Sequence, residues 1–309
     1  RDFMFSKFIR LGALISGAVI LSSCGSGTGQ TETQLSTPEG LFTGTTTVYI
    51  NPTGAVTTTP TPCTVNTLMF INYAGTFYSF FSPVGSGVVS ASSGQLTFSG
   101  GNMGSNNVLQ VTPPNGTGAS ATAPNGTYCG VALADANGLN NQVTLPSFTG
   151  AYNTAINNAG TYTYPNVIDA NNDFETATIS LGYNTGYQGV QSLATLAGRY
   201  SGTVGTSQFS EAATFIFSSA SVPANSGNQF GVATVNGTGA SGCIYTGTVS
   251  PLFKGNGYNL LLSVGGSPCQ LIGTTFQGLV YLDTANNFVY SFSPNPAHND
   301  GLIFTGARK

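Results

Sequence analysis

The chain has 309 residues, of which 7 are Lys or Arg and 10 are Asp or Glu, giving a net charge of −3. So few cations argue against nucleic acid as a partner, because phosphate binding needs clustered Lys and Arg, and they leave little for salt bridges to organise. With 40% hydrophobic residues, 20 Phe and 14 Tyr, a packed core is nevertheless affordable and wholesale disorder is not expected.

The printed chain opens Arg1-Asp2-Phe3-Met4, and an acidic residue is foreign to the leading region of an export signal, so Met4 is read as the start. Lys7 and Arg10 then supply positive charge, and residues 11–21 form a charge-free run. It is long enough for a signal core but short of the roughly 20 apolar residues that span a bilayer. It ends in Leu21-Ser22-Ser23-Cys24, followed by Gly25-Ser26-Gly27. This phrase resembles the lipobox of bacterial lipoproteins, an aliphatic residue and two small ones before the cysteine that is acylated. The resemblance implies a signal peptide over 1–23, removed to leave diacylglycerol and an N-acyl chain on Cys24 as a membrane-lipid anchor, and several chains on one residue anchor stably. Gly25 in place of Asp implies passage to the outer membrane. An ordinary secretory signal is the rival reading.

With residues 1–23 removed, four basic residues face nine acidic ones, 4 − 9 = −5. Residues 24–39, rich in Gly, Ser, Thr and Gln without apolar period, read as a flexible tether. From Leu41 onward, short segments dense in β-branched and aromatic residues alternate with Gly, Asn, Pro and Ser clusters. Strands are expected at 46–50, 68–73, 76–81, 94–98, 108–112, 176–183, 213–217, 258–264, 275–282 and 288–292. In 258–264 the even positions Tyr258, Leu260, Leu262 and Val264 are apolar and two of the odd ones polar, so one face is buried. The polar stretch Asp283-Thr284-Ala285-Asn286-Asn287 reads as a turn between two strands, and Asn-Gly at Asn115, Asn125, Asn137 and Asn236 fits type I′ turns. Helical periodicity is confined to 187–196 and, weakly, 151–158.

Gly40-Leu41-Phe42-Thr43-Gly44-Thr45 is echoed by Gly198-Arg199-Tyr200-Ser201-Gly202-Thr203, each a glycine-bracketed aromatic entering a strand-rich stretch. The expected fold is therefore all-β, with two tandem small antiparallel β-barrels or sandwiches of about eight strands each, lipocalin-like, over 40–188 and 189–309. Beyond Cys24, the cysteines Cys63, Cys129, Cys243 and Cys269 are even in number, and export favours disulfides. Three pairings are possible. Cys63–Cys129 and Cys243–Cys269 keep each bridge inside one unit. Zinc is the rival, but no C-x-x-C spacing exists.

The last third carries Gly198-x-Tyr200-x-Gly202, Gly242-Cys243-x-Tyr245-x-Gly247, then Tyr258, Cys269, Gly273, Gly278 and a closing Gly301-Leu302-Ile303-Phe304-Thr305-Gly306. This pattern is similar to the C-terminal module of a group of proteobacterial outer-membrane lipoproteins. It implies a lipid-anchored β-barrel module with a Cys243–Cys269 disulfide, and it carries no established activity.

His298 and Asp300 could serve a serine hydrolase, but no G-x-S-x-G elbow accompanies them and both fall in one loop. Asp169, Asn171, Asp173 and Glu175 have calcium-like spacing, yet Phe174 stands where a calcium loop turns on glycine. A polar hairpin turn is the plainer reading. Paired carboxylates of a glycosidase are not apparent, and without Trp a sugar platform would rest on Tyr. The expected function is a non-enzymatic, membrane-anchored envelope lipoprotein with no cofactor beyond its acyl chains, acting as a surface or periplasmic structural or adhesive binding module for an unidentified protein. The alternatives are a lipocalin-like carrier of a small hydrophobic ligand, which needs a hollow barrel, and an inhibitor of a basic lysozyme or protease, which the acidic charge suits.

Overall fold

Short apolar-polar alternations punctuated by Gly and Asn become antiparallel strands almost throughout the computed structural model, which describes residues 39–50, 61–83, 90–113, 143–144, 147–153, 157–168, 174–188, 192–218 and 231–309. The fold is all-β. In the first half the strands are β1 (Gly40–Ile50), β2 (Thr61–Ile71), β3 (Thr76–Pro83), β4 (Ser90–Gln95), β5 (Thr97–Ser99), β6 (Asn102–Ser105), β7 (Val108–Val111), β8 (Val143–Thr144), β9 (Ser147–Asn153), β10 (Asn157–Ile168) and β11 (Phe174–Asn184). They form one sheet of 11 strands in the order β5-β6-β9-β10-β11-β1-β2-β3-β4-β7-β8.

That sheet rolls up. β4 and β5 lie far apart in the strand order, yet only Leu96 separates them in sequence, and the rings of Phe77 on β3 and Phe148 on β9 sit 6.2 Å apart. Phe42, Val65, Met69, Ile71, Phe77, Phe81 and Phe148 fill the concave side. Among the described residues this half has eleven strands, where about eight were expected. The segment expected as one strand over 94–98 breaks at Leu96 into two, and a tight turn at Gly100 and Gly101, both at positive φ, folds β5 back on β6.

A 3-10 turn (Thr185–Gln188) and a four-residue helix α1 (Leu193–Leu196) lead into the second half. Among the described residues this is the extent of helix in the region 187–196, which was expected to be helical. The weaker expectation at 151–158 fails, because Tyr152 and its neighbours pair in β9 and Asn157 opens β10. Next come β12 (Gly198–Gly205), β13 (Ser210–Phe217), β14 (Ala233–Gly239), β15 (Ile244–Pro251), β16 (Gly257–Gly265), β17 (Thr275–Asp283), β18 (Phe288–Pro294) and β19 (Gly301–Arg308). These eight close into an up-and-down barrel, each strand pairing with its sequence neighbour and β12 with β19. Closure leaves no free edge.

The echoed glycines occupy matching places. Gly44 lies in the first strand of its half against the last, β11, where a Cβ would meet the Ser180 carbonyl oxygen at 2.1 Å. Gly202 lies in β12 against β19, where a Cβ would meet that of Thr305 at 1.8 Å. Asn236-Gly237, expected to turn, instead runs through the middle of β14. The glycine is there for space, since a Cβ at Gly237 would stand 2.9 Å from the Phe215 ring. Asn115, Asn125 and Asn137 lie outside the described residues.

The two sheets share no strand pairing among the described residues, but residues 35–309 form one compact unit. Its halves meet outer face to outer face. Leu41, Phe70 and Tyr187 pack on Leu252, Leu279 and Tyr281, and Phe80, Leu109 and Val111 pack on Phe292 and Ile303. This explains why Leu279-Val280-Tyr281-Leu282 and Leu302-Ile303-Phe304 are buried throughout instead of alternating. Val280, Leu282, Leu302 and Phe304 point into the barrel, whereas Leu279, Tyr281 and Ile303 enter the seam.

Candidate functional site

A small eight-stranded barrel can be filled by side chains or can hold one small ligand, so its interior is the first place to look for function. Here the inward positions carry large groups. Across one rung, Tyr200 on β12 faces Phe215 on β13, then Gly237 on β14, Tyr245 on β15 and Val264 on β16. The absent side chain at Gly237 lets the Phe215 and Tyr245 rings approach to 5.2 Å over it, and Phe304 reaches the other side of Phe215 at 4.2 Å. Tyr200, Tyr245, Tyr258, Val235, Val280 and Val289 are wholly buried in the same cluster.

One mouth is capped. Ser192 accepts a hydrogen bond from the Thr195 N–H and so starts α1, whose Leu193 and Leu196 drop into the barrel core. Three inward groups hold it there: the Tyr200 hydroxyl donates to the Leu196 carbonyl at 2.9 Å, the Tyr258 hydroxyl to that of Ser192 at 3.0 Å, and Arg308 donates to the carbonyls of Thr195 and, at 2.8 Å, Ala197. The guanidinium also lies 5.4 Å from the centre of the Tyr200 ring. Burial pushes the Tyr258 phenol up to about 12, and burial raises Tyr200 too, with the Arg308 charge working against it. Sequence reasoning missed this latch. Arg308 was visible only as a basic residue near the end of the chain, and its meeting with Tyr200 depends on a strand register that no local pattern encodes.

At the opposite mouth a disulfide joins Cys243 to Cys269, with 26 residues of separation and Cα atoms 4.7 Å apart. Beside it the Glu211 carboxylate accepts from the Ser241 N–H at 2.5 Å and from the Tyr245 hydroxyl at 3.1 Å. Gly239 leaves room, since a Cβ there would meet a Glu211 oxygen at 2.0 Å. Burial and then the Glu211 charge raise the Tyr245 pKa. The phenol donates to Glu211.

The loop with His298 and Asp300 lies at this mouth as well. Asp300 accepts from the Ser207 N–H at 3.1 Å, the Ser207 hydroxyl at 2.8 Å and the Gly301 N–H at 2.7 Å, which ties the two loops together. His298, in a positive-φ turn and with its pKa lowered by burial, does not stand between Ser207 and the acid as a general base would. Of the calcium-like set, Glu175 falls in β11 opposite Tyr164, while Asp169, Asn171 and Asp173 lie outside the described residues. Among the described residues no three His, Cys, Asp or Glu converge as metal ligands. Cys63 lies in β2, and Cys24 and Cys129 fall outside the described residues.

No protein-family model matches the sequence, and no curated protein matches it. Among solved structures, a protein of unknown function from the DUF3598 family of Nostoc punctiforme aligns at 12% identity with TM-score 0.27, covering 88% of this chain and 96% of that one. A candidate outer membrane protein of Bacteroides fragilis aligns at 10% identity and 0.27, covering 88% and 98%. The isotype 1 transferrin-binding protein B of serogroup B Neisseria meningitidis aligns at 9% identity and 0.26, covering 88% and 77%. Likeness at this level carries nothing about what the chain does.

Proposed function

We propose that this chain is a lipoprotein of the bacterial outer membrane, held by acyl chains on Cys24, whose folded body is a non-enzymatic structural or adhesive binding module. The anchor is supported by Leu21-Ser22-Ser23-Cys24 at the end of a charge-free run with Lys7 and Arg10 before it. Against a carrier role stands one observation: Phe215, Phe304 and Tyr245 meet inside the C-terminal barrel, and α1 caps its mouth. A carrier would need an interior that admits its ligand. Recognition then falls to the outer surface and the loops, whose Ser, Thr and Asn content offers adaptable hydrogen bonding. Labelled palmitate should enter the full chain made in a Gram-negative host and should not enter a Cys24→Ala variant. Equal labelling of both, or of neither, refutes the anchor. Saturable uptake of a fatty acid analogue into the barrel would refute the filled module.

A further inference from the structure

We propose that the capped end of the C-terminal barrel, with the exposed rings of Tyr73 and Phe253 beside it, is the face by which the body rests on an anionic phospholipid bilayer. The inference builds on the lipid-anchor reading above.

Tyr73 tips the turn between β2 and β3, and Phe253 tips the turn between β15 and β16. They are 53% and 65% exposed, yet their rings touch edge to face at 6.4 Å, so the two halves jointly present an aromatic pair to solvent. An aromatic pair of this kind, one ring with a polar tip, suits the boundary between headgroups and acyl chains.

The chain enters the body at the same place. Gly40 pairs with Ile71, two residues before Tyr73, and the Glu39 carboxylate meets the ammonium of Lys254, next to Phe253, at 3.2 Å. From Cys24 to Glu39 is 39 − 24 = 15 residues. That length reaches about 50 Å at most. An acylated Cys24 therefore holds this end of the body near the lipid.

Charge is sorted the same way along the barrel. Arg199 opens β12, Arg308 and Lys309 finish β19, and Lys254 sits in the turn after β15, so all four basic residues beyond the signal lie at the capped end. Among the described residues Glu39 and Asp283 lie there too, leaving 4 − 2 = +2 on described side chains, whereas Glu211 and Asp300 lie at the disulfide end. Of the two ends of the barrel, this one suits a negative membrane surface, where each cation is drawn to anionic headgroups.

The chain lacks Trp, so one introduced indole reports its surroundings without background. Acylated full-length chain carrying Phe253→Trp, reconstituted in vesicles of phosphatidylglycerol and phosphatidylethanolamine, should show blue-shifted emission that is quenched by lipids brominated high on the acyl chain. The same chain carrying Ile272→Trp, at an equally exposed site on the disulfide end, should show neither. Replacing the phosphatidylglycerol with phosphatidylcholine should weaken the quenching. A palmitate-labelled Phe253→Trp chain that stays unquenched, or equal quenching of the two probes, overturns the membrane face and leaves the anchor standing. Absence of acyl label from the wild-type chain brings down the anchor and this proposal together.

Discussion

Replacing Phe215 with Ala tests whether the C-terminal barrel is packed solid. The ring is 2% exposed, lies 4.2 Å from that of Phe304 and 5.2 Å from that of Tyr245, and rests on Gly237. Truncation removes roughly 150 Å² of buried apolar surface, about 4 kcal/mol at 25 cal/mol per Å², within the range of 3–5 kcal/mol measured for Phe→Ala in cores. Gly237 has no side chain to collapse into the space, and the neighbouring rings are held by the barrel wall, so relaxation offsets little. The melting temperature should fall by about 10 °C for a body of this size. The adjacent Ile216 points outward and is 48% exposed, so Ile216→Ala should lose less than about 1 kcal/mol. Urea titration of both variants, monitored by tyrosine fluorescence and far-ultraviolet circular dichroism, gives the comparison. Equal losses, or a Phe215→Ala loss below about 1 kcal/mol, would mean a slack interior, and the case against a carrier would fail.

The Cys243→Ser, Cys269→Ser double variant should lose about 3.5 kcal/mol from the freed 26-residue loop; non-reducing peptide mapping of the wild type must show the two joined, and a different partner for either refutes the pairing. Burial pushes the Tyr78 phenol, in the seam between the halves, from 10.0 up to about 12. Its folded pKa lies above the unfolded one, so this contribution is whole below pH 10 and is lost as pH rises towards about 12, roughly 2–3 kcal/mol in all. Denaturant midpoints across that window should fall more steeply for wild type than for Tyr78→Phe, and parallel curves would contradict the assignment. Gly202→Ala should destabilise by the 1–3 kcal/mol of an overpacked core or more, because its Cβ would meet a backbone oxygen at 1.8 Å. Gly265→Ala, with nothing within 4 Å, should be nearly neutral, and similar melting curves for the two would refute the close approach.

Much of the C-terminal barrel could be read from residue order, because one wall of each strand faces a dry core. Tyr258, Leu260, Leu262 and Val264 are buried while Leu261 is exposed, as period-two alternation requires. Where the alternation lapses, as in Leu279-Val280-Tyr281-Leu282, the lapse is itself a signal of a second covered face, which locates the seam between halves. The polar start of β4, Ser90-Ala91-Ser92-Ser93, was not legible as a strand: Ser90 and Ser92 share the inward face with Phe77 and Phe81, Ser93 shares the seam face with Tyr78, all three are buried, and Ser90 bonds Thr112 at 2.9 Å. Asn236-Gly237 misled for a related reason, as a glycine chosen to seat an aromatic ring looks identical to one chosen for a turn. The latch of Tyr200, Tyr258 and Arg308 joins strands roughly 100 residues apart in the chain, and only the three-dimensional pairing brings it together.

In both halves the opening strand is sealed by the closing one, β1 by β11 and β12 by β19. A polypeptide wired in this way cannot complete either sheet until its final segment has emerged, since the opening strand must wait for its second partner, which is synthesised last. Such long-range closure is slow and leaves unpaired margins open meanwhile. Under the export proposed above, the same delay would serve passage through a narrow pore, because a chain whose first and last strands have not yet met is still loose enough to be threaded.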